Sequence, residues 1–242
     1  MRPKSLLALP VIVTILLLPG IARADIVTLD TTPLMEDPAG PFSLVFQLTD
    51  GNGTGDGNNT VTLSDFVFGT GGPSGAPTTF GGVSGGVGST VTLVDTSFLN
   101  YFIQPFTPGT TLGFTIAMTD NVDAGGIPDG FAFSISDNTG QNIPTQAGPF
   151  ADMFISIAFD SSNPTVTVFA SDTTRSPAGG GGPIDLGAPI VQAVPEPSGI
   201  GFLAVGLSVV FVLQRVFQRK QQDSAYRNEK TGPLALARLF RS

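Results

Sequence analysis

The chain has 242 residues, a net charge of −8, 31 Gly, 20 Pro, and neither Cys nor His. Disulfide frameworks, thiol chemistry, Ser-His-Asp or Cys-His catalysis and imidazole-ligated metals are excluded. Residues 25–193 hold sixteen Asp or Glu and one basic residue, Arg175, a net −15 that repels phosphate and rules out nucleic-acid binding.

Residues 1–24 read as a secretory signal peptide. Arg2 and Lys4 form the charged start, Leu6 to Leu18 the apolar run, and Ala22-Arg23-Ala24 a small-x-small cleavage site that would leave Asp25 first. The partner this implies is the Sec export machinery.

From 25 to 175 the pattern has period two. Phe42, Leu44, Phe46 and Leu48 alternate with polar residues, as do Leu112, Phe114, Ile116 and Met118, then Phe131, Phe133 and Ile135, then Ile155, Ile157 and Phe159. Further strands are expected at 61–68, 91–94, 99–106 and 166–170, with 26–29 as an edge. Short strands between Gly, Pro, Asn and Asp clusters predict an all-β antiparallel sandwich of the jelly-roll or lectin-like kind, with closure into a barrel as the alternative. A domain of this size buries enough surface to stand on its core alone. The Phe stripes are expected to be that core.

Two acidic loops carry the chemistry. Asp50-Gly-Asn52-Gly-Thr54-Gly-Asp56-Gly-Asn58 resembles the first half of an EF-hand loop, but Val61 stands where the bidentate Glu belongs. Such a loop is either one side of a Ca²⁺ site or a hairpin tip. The second, Asp120 to Gly130, offers Asp120, Asn121, Asp123 and Asp129 as hard oxygen ligands for Ca²⁺ within ten residues. The alternative is a turn whose Asn and Asp side chains bond their own backbone. No other cofactor is expected. The acids sit beside Gly, Asn or Ser, so they are expected at exposed turns. That argues against a carboxylate-pair glycoside hydrolase, the least favoured reading, in which Asp123 and Asp129 would be paired. The chain is therefore read as a non-enzyme.

Residues 176–193, with Gly179 to Gly182 and several prolines, read as a linker. Next come Val194-Pro195-Glu196-Pro197-Ser198, an uncharged apolar run from Gly199 to Leu213, and the basic residues Arg215, Arg219 and Lys220. An apolar helix over about 199–217 would make a thin membrane span, with snorkelling cations on its cytoplasmic side. Residues 214–242 carry +5, against the acidic segment upstream. Residues 221–242 are then a basic cytoplasmic tail.

The tripartite stretch 194–220 resembles the PEP-CTERM sorting signal of Gram-negative bacteria. That resemblance implies an exosortase-type intramembrane protease as partner, cutting near Pro195-Glu196-Pro197 and releasing the upstream domain to the surface or matrix. Such signals usually end soon after the basic cluster, whereas this chain continues to Ser242. The resulting expectation is an exported protein, anchored by its C-terminal helix or released to the cell surface or extracellular matrix. Its role would be structural or binding, with Ca²⁺ or envelope polysaccharide as ligands. The alternative is a permanent single-span membrane protein whose basic tail acts in the cytoplasm.

Overall fold

A computed structural model describes residues 23–119, 121–123, 126–160, 164–194, 214–215 and 218–220. Two compact units divide the chain, Met1–Val194 and Pro195–Ser242. In the second, the described residues Gln214, Arg215, Gln218, Arg219 and Lys220 are helical, and their side chains are exposed. Among the described residues, no helix is long and apolar enough to cross a membrane. The expected span at about 199–217 and Pro195 to Ser198 of the sorting motif fall almost wholly outside them.

The first unit is all-β and antiparallel. Its strands are β1 (Arg23–Asp30), β2 (Phe42–Thr49), β3 (Thr60–Val67), β4 (Gly72–Pro73), β5 (Thr78–Phe80), β6 (Gly82–Gly85), β7 (Val91–Val94), β8 (Leu99–Thr107), β9 (Thr111–Met118), β10 (Gly130–Ser136), β11 (Ile155–Ala158), β12 (Thr165–Val168) and β13 (Ile190–Ala193). One sheet runs β13-β1-β9-β3-β7-β6 and the other β12-β11-β10-β2-β8-β4, with β5 also paired to β8. Both sheets end in edge strands, so the fold is two facing layers and not a closed barrel.

Period-two alternation makes this packing possible, because it places every apolar residue of a strand on one face. Val27, Leu29, Val61, Leu63, Leu112, Phe114 and Ile116 from one sheet meet Leu44, Phe46, Phe102, Phe131 and Phe133 from the other in a shared core. Phe46 reaches across to Phe114 at 5.2 Å in an edge-to-face contact. Phe114 in turn meets Phe133 at 5.2 Å. Such pairs add about 0.5–1.5 kcal/mol each beyond the area they bury. The Phe stripes are thus core, as their alternation predicts.

Three expectations are corrected. First, residues 176–193 are not a free linker. Ile184 and Leu186 are 3% and 1% exposed within the core. The Ser171 hydroxyl donates to the Ile184 carbonyl at 2.7 Å, and the Leu186 N–H donates to that hydroxyl at 2.7 Å. After this seam, β13 adds to the edge of β1, so the sandwich runs to Val194 instead of ending near 175. Two apolar residues spaced by two outweigh the Gly and Pro around them.

Second, the alternation marks no strand between residues 68 and 91, yet β4, β5 and β6 form there on β8 and β7. Glycine weakens a strand, but it permits close backbone approach. A Cβ at Gly82 would stand 2.2 Å from the Thr96 hydroxyl and 2.4 Å from the Val94 carbonyl. Third, the turn acids are not uniformly exposed. Asp50, Asp95, Asp129 and Asp137 are all buried, because loops at the ends of the sandwich fold over one another.

Candidate metal centre

The strand directions bring four segments to one end of the sandwich. Asp50 follows β2, Asn58 and Asn59 precede β3, Asp95 follows β7, and residues 119–129 join β9 to β10. The two acidic loops, far apart in sequence, therefore meet. Carboxylate oxygens of Asp50, Asp123 and Asp129 all lie within 4.8 Å of one another.

Each is fixed by N–H donors. The Gly53 N–H donates to Asp50 Oδ1 at 2.7 Å, and the Gly55 N–H donates to Asp50 Oδ2. Burial acts to raise the Asp50 carboxyl, yet backbone donors from Gly55, Gly53, Asp56 and Asn52 together hold it below its ordinary value. Asp129 accepts from the Gly51 N–H at 2.9 Å and the Asn59 amide at 2.8 Å, linking both loops. Asp123 accepts from the Asn52 amide at 2.8 Å and from the Asn58 amide. Asp123 is partly exposed, whereas Asp50 and Asp129 are 0% and 2% exposed.

Gly51 is required at this junction. A Cβ there would lie 2.1 Å from the Ile127 carbonyl and 2.4 Å from that of Pro128, so any larger residue drives the loops apart. Gly55, at φ +66°, turns the first loop back beneath Thr96, whose carbonyl lies 2.5 Å from where a Cβ would stand.

Behind this group lies Asp95, fully buried. Its oxygens accept the Asn59 backbone N–H at 3.1 and 3.0 Å. Burial first, then a hydrogen bond with the Asp129 carboxyl and the negative charge of Asp129, push it up to about 7. Asn59 ties the assembly together. Its amide nitrogen also donates to the Asn121 carbonyl at 2.9 Å, and its oxygen accepts from the Thr119 hydroxyl at 2.9 Å and the Asn121 N–H at 3.1 Å. The side-chain oxygen of Asn58 is buried and has no hydrogen-bond partner among the described residues.

Of the expected ligands, Asp123 and Asp129 are brought together and Asp50 joins them from the other loop. Asn121 is exposed, and its amide donates to the Asn58 carbonyl as a brace between loops. Asp120 lies outside the described residues. Asp95 and Asn59 were not anticipated. Each is one polar residue at the edge of a strand, with no local pattern to mark it. In the first loop Asp56 accepts from both the backbone N–H and the side-chain amide of Asn58.

The residues expected to flank processing lie at this same end. Ala24 is half-buried and Asp25 fully buried, both within β1. Val194 is exposed, and its N–H donates to the Ala24 carbonyl at 2.9 Å. Ala22 precedes the described residues. Compared with protein families, curated proteins and solved structures, the chain matches none.

Proposed function

We propose that this is an exported, surface-sorted sandwich protein of the jelly-roll or lectin-like kind, with a binding or structural role in the envelope or matrix, whose acidic loop end takes Ca²⁺. The observation carrying the Ca²⁺ reading is the convergence of Asp50, Asp123 and Asp129 within 4.8 Å. The only base between residues 25 and 193 is Arg175, and it is engaged by Asp152 and Asp172. Like charges in a poorly solvated site repel strongly unless a cation is present. All the candidate ligands are hard oxygens, drawn from two loops that can adjust to a large ion, which favours Ca²⁺ over Mg²⁺. Asp50, Asp123 and Asp129 would hold the ion, with the Asn58 oxygen as a fourth donor.

Binding is favoured over hydrolysis. Asp95 is the carboxyl raised into the range of a general acid, and it is 0% exposed, out of reach of a substrate. Envelope polysaccharide remains the second ligand. Its support is the pair Phe80 and Tyr101 on the outer surface of β5 and β8, stacked at 5.4 Å with Phe80 53% exposed. Without Trp, these rings are the available surface for a sugar face.

The address rests on the signal peptide at 1–24, the PEP-CTERM-like stretch 194–220 and its implied exosortase, with the permanent membrane anchor as the alternative. Two measurements test the proposal. Melting of the purified protein with Ca²⁺ or chelator is expected to differ by several degrees, and identical curves overturn the cation reading. Peptide mapping of the native protein is expected to find ends at Asp25 and near Pro195 to Ser198. Recovery through Ser242 in the membrane fraction alone establishes the permanent anchor instead.

A further inference from the structure

The two expected processing points are far apart in sequence and adjacent in the fold. β1 pairs on one side with β9, with Ala24 opposite Ala117 and Asp25 opposite Ile116. On its other side Asp25 stands opposite Ala193 of β13. The next rung out is the hydrogen bond from the Val194 N–H to the Ala24 carbonyl, at 2.9 Å. The peptide bond between Ala24 and Asp25 is thus clasped on both sides. The last residue before Pro195 is held by the carbonyl of that same bond.

Peptidases bind their substrates extended, through free backbone N–H and C=O groups. In the folded domain the Ala24 carbonyl is taken by the Val194 N–H, and Ala24 and Asp25 lie within the ladder of β1 with β9, so cutting there must precede the pairing of β1. Hydrolysis consumes one water, places a carboxylate on the departing Ala24 and leaves an α-ammonium on Asp25. Ala24 departs with the leader before β1 pairs, so in a cut chain the Val194 N–H never meets that acceptor. In an antiparallel ladder the bonded pairs alternate, so β13 rests on the rungs at Ile190, Gln192 and Val194. It is an edge strand with mostly exposed residues, and Ile190 is 62% exposed. Removing the outermost of its rungs frays the end that leads into the Pro-Glu-Pro motif.

We infer that the Ala24 carbonyl latches Val194 in a chain that folds uncut, and that a chain cut before folding keeps the C-terminal end of the domain unlatched, so that the two processing events occur in order. The sequence of events rests on the sorting reading above; the latch itself does not. One backbone hydrogen bond is worth about a five-fold change in the opened population of the strand.

The test uses the full chain in two forms, the native one beginning at Asp25 and an Ala22→Gln variant, which spoils the small-x-small site while leaving Ala24 in place. Amide hydrogen exchange over residues 190–194 is expected to be about five-fold faster in the chain beginning at Asp25. Equal rates overturn the latch. In cells, Ala22→Gln is expected to reduce cutting after Val194. Adding Gln192→Pro, which removes a rung of β13 without touching either motif, is expected to restore it. Failure of that rescue overturns the ordering. If the native chain is never cut after Val194, the sorting reading falls, and the exchange rates still decide the latch.

Discussion

The two ends of the sandwich handle acidic side chains in opposite ways. Beyond the far end of β10, Arg175 gathers three partners. Its Nη2 meets Asp152 Oδ1 at 2.5 Å and the Thr145 carbonyl at 2.7 Å, and its Nε meets Asp172 Oδ2 at 2.7 Å. The Thr174 hydroxyl and then Arg175 hold the Asp172 carboxyl down to about 2. At the near end, Asp50, Asp95, Asp123 and Asp129 have amide donors, and among the described side chains no cation pairs with them. Among the described residues, the more deeply buried acids are the ones without a side-chain cation. Placement of charge, and not its amount, separates a closed structural clamp from a cluster of converging carboxylates.

The largest expected effect tests whether the near end needs an ion. At Ca²⁺ one hundred times its dissociation constant, linkage gives about 2.7 kcal/mol, or roughly 5–10 °C in melting temperature for a domain of this size. Asp129→Asn is expected to abolish most of that response, measured by scanning calorimetry with and without chelator. A full response in this variant moves the ion elsewhere.

Next in size is the clamp. Arg175→Ala leaves Asp152 and Asp172 without their cation, so a lower denaturant midpoint is expected in unfolding, unaffected by Ca²⁺. An equal loss in the Ca²⁺ response would mean that the two ends are coupled.

A smaller effect concerns pH. The Asp95 carboxyl titrates at 3.8 in the unfolded chain and at about 7 in the fold. Between those values the folded form binds more protons, so stability of the cation-free protein falls as pH rises from about 4 to 7. Asp95→Asn is expected to flatten that decline in melts across the range, and to stabilise the cation-free protein at neutral pH. An unchanged slope would show that Asp95 is not the titrating group.

The smallest effect is at the acid limb. The Asp172 carboxyl, lowered from 3.8 to about 2, contributes stability that is fully present above the higher value and lost as pH falls through the lower one. Removing the Arg175 partner is expected to move this loss to higher pH, seen as earlier acid unfolding.

How much was legible varies from residue to residue. The long strands β2, β8, β9 and β10 were, because one face of each must be apolar and the side-chain period is fixed at two. β13 was not, since Ile190 to Ala193 has no alternation of its own and forms by adding to an edge that β1 presents. Asp123 and Asp129 were legible as oxygen ligands from their crowding within one loop. Their union with Asp50 was not, because it depends on β2 and β9 ending at the same end of the sandwich. Asp95 was invisible in the same way, a lone acid after a strand.

The sequence by itself determined the class of the fold, the chemistry available and the sign of the field: alternation dictates sheets, the absence of Cys and His leaves oxygen ligands, and sixteen acids against one base set the charge. Only the tertiary structure decided which acids are buried, which of them meet, and that Ala24 and Val194 share a hydrogen bond. Local pattern acts over a few residues, whereas sheet register joins positions a hundred or more apart, and electrostatics and backbone pairing respond to distance in space.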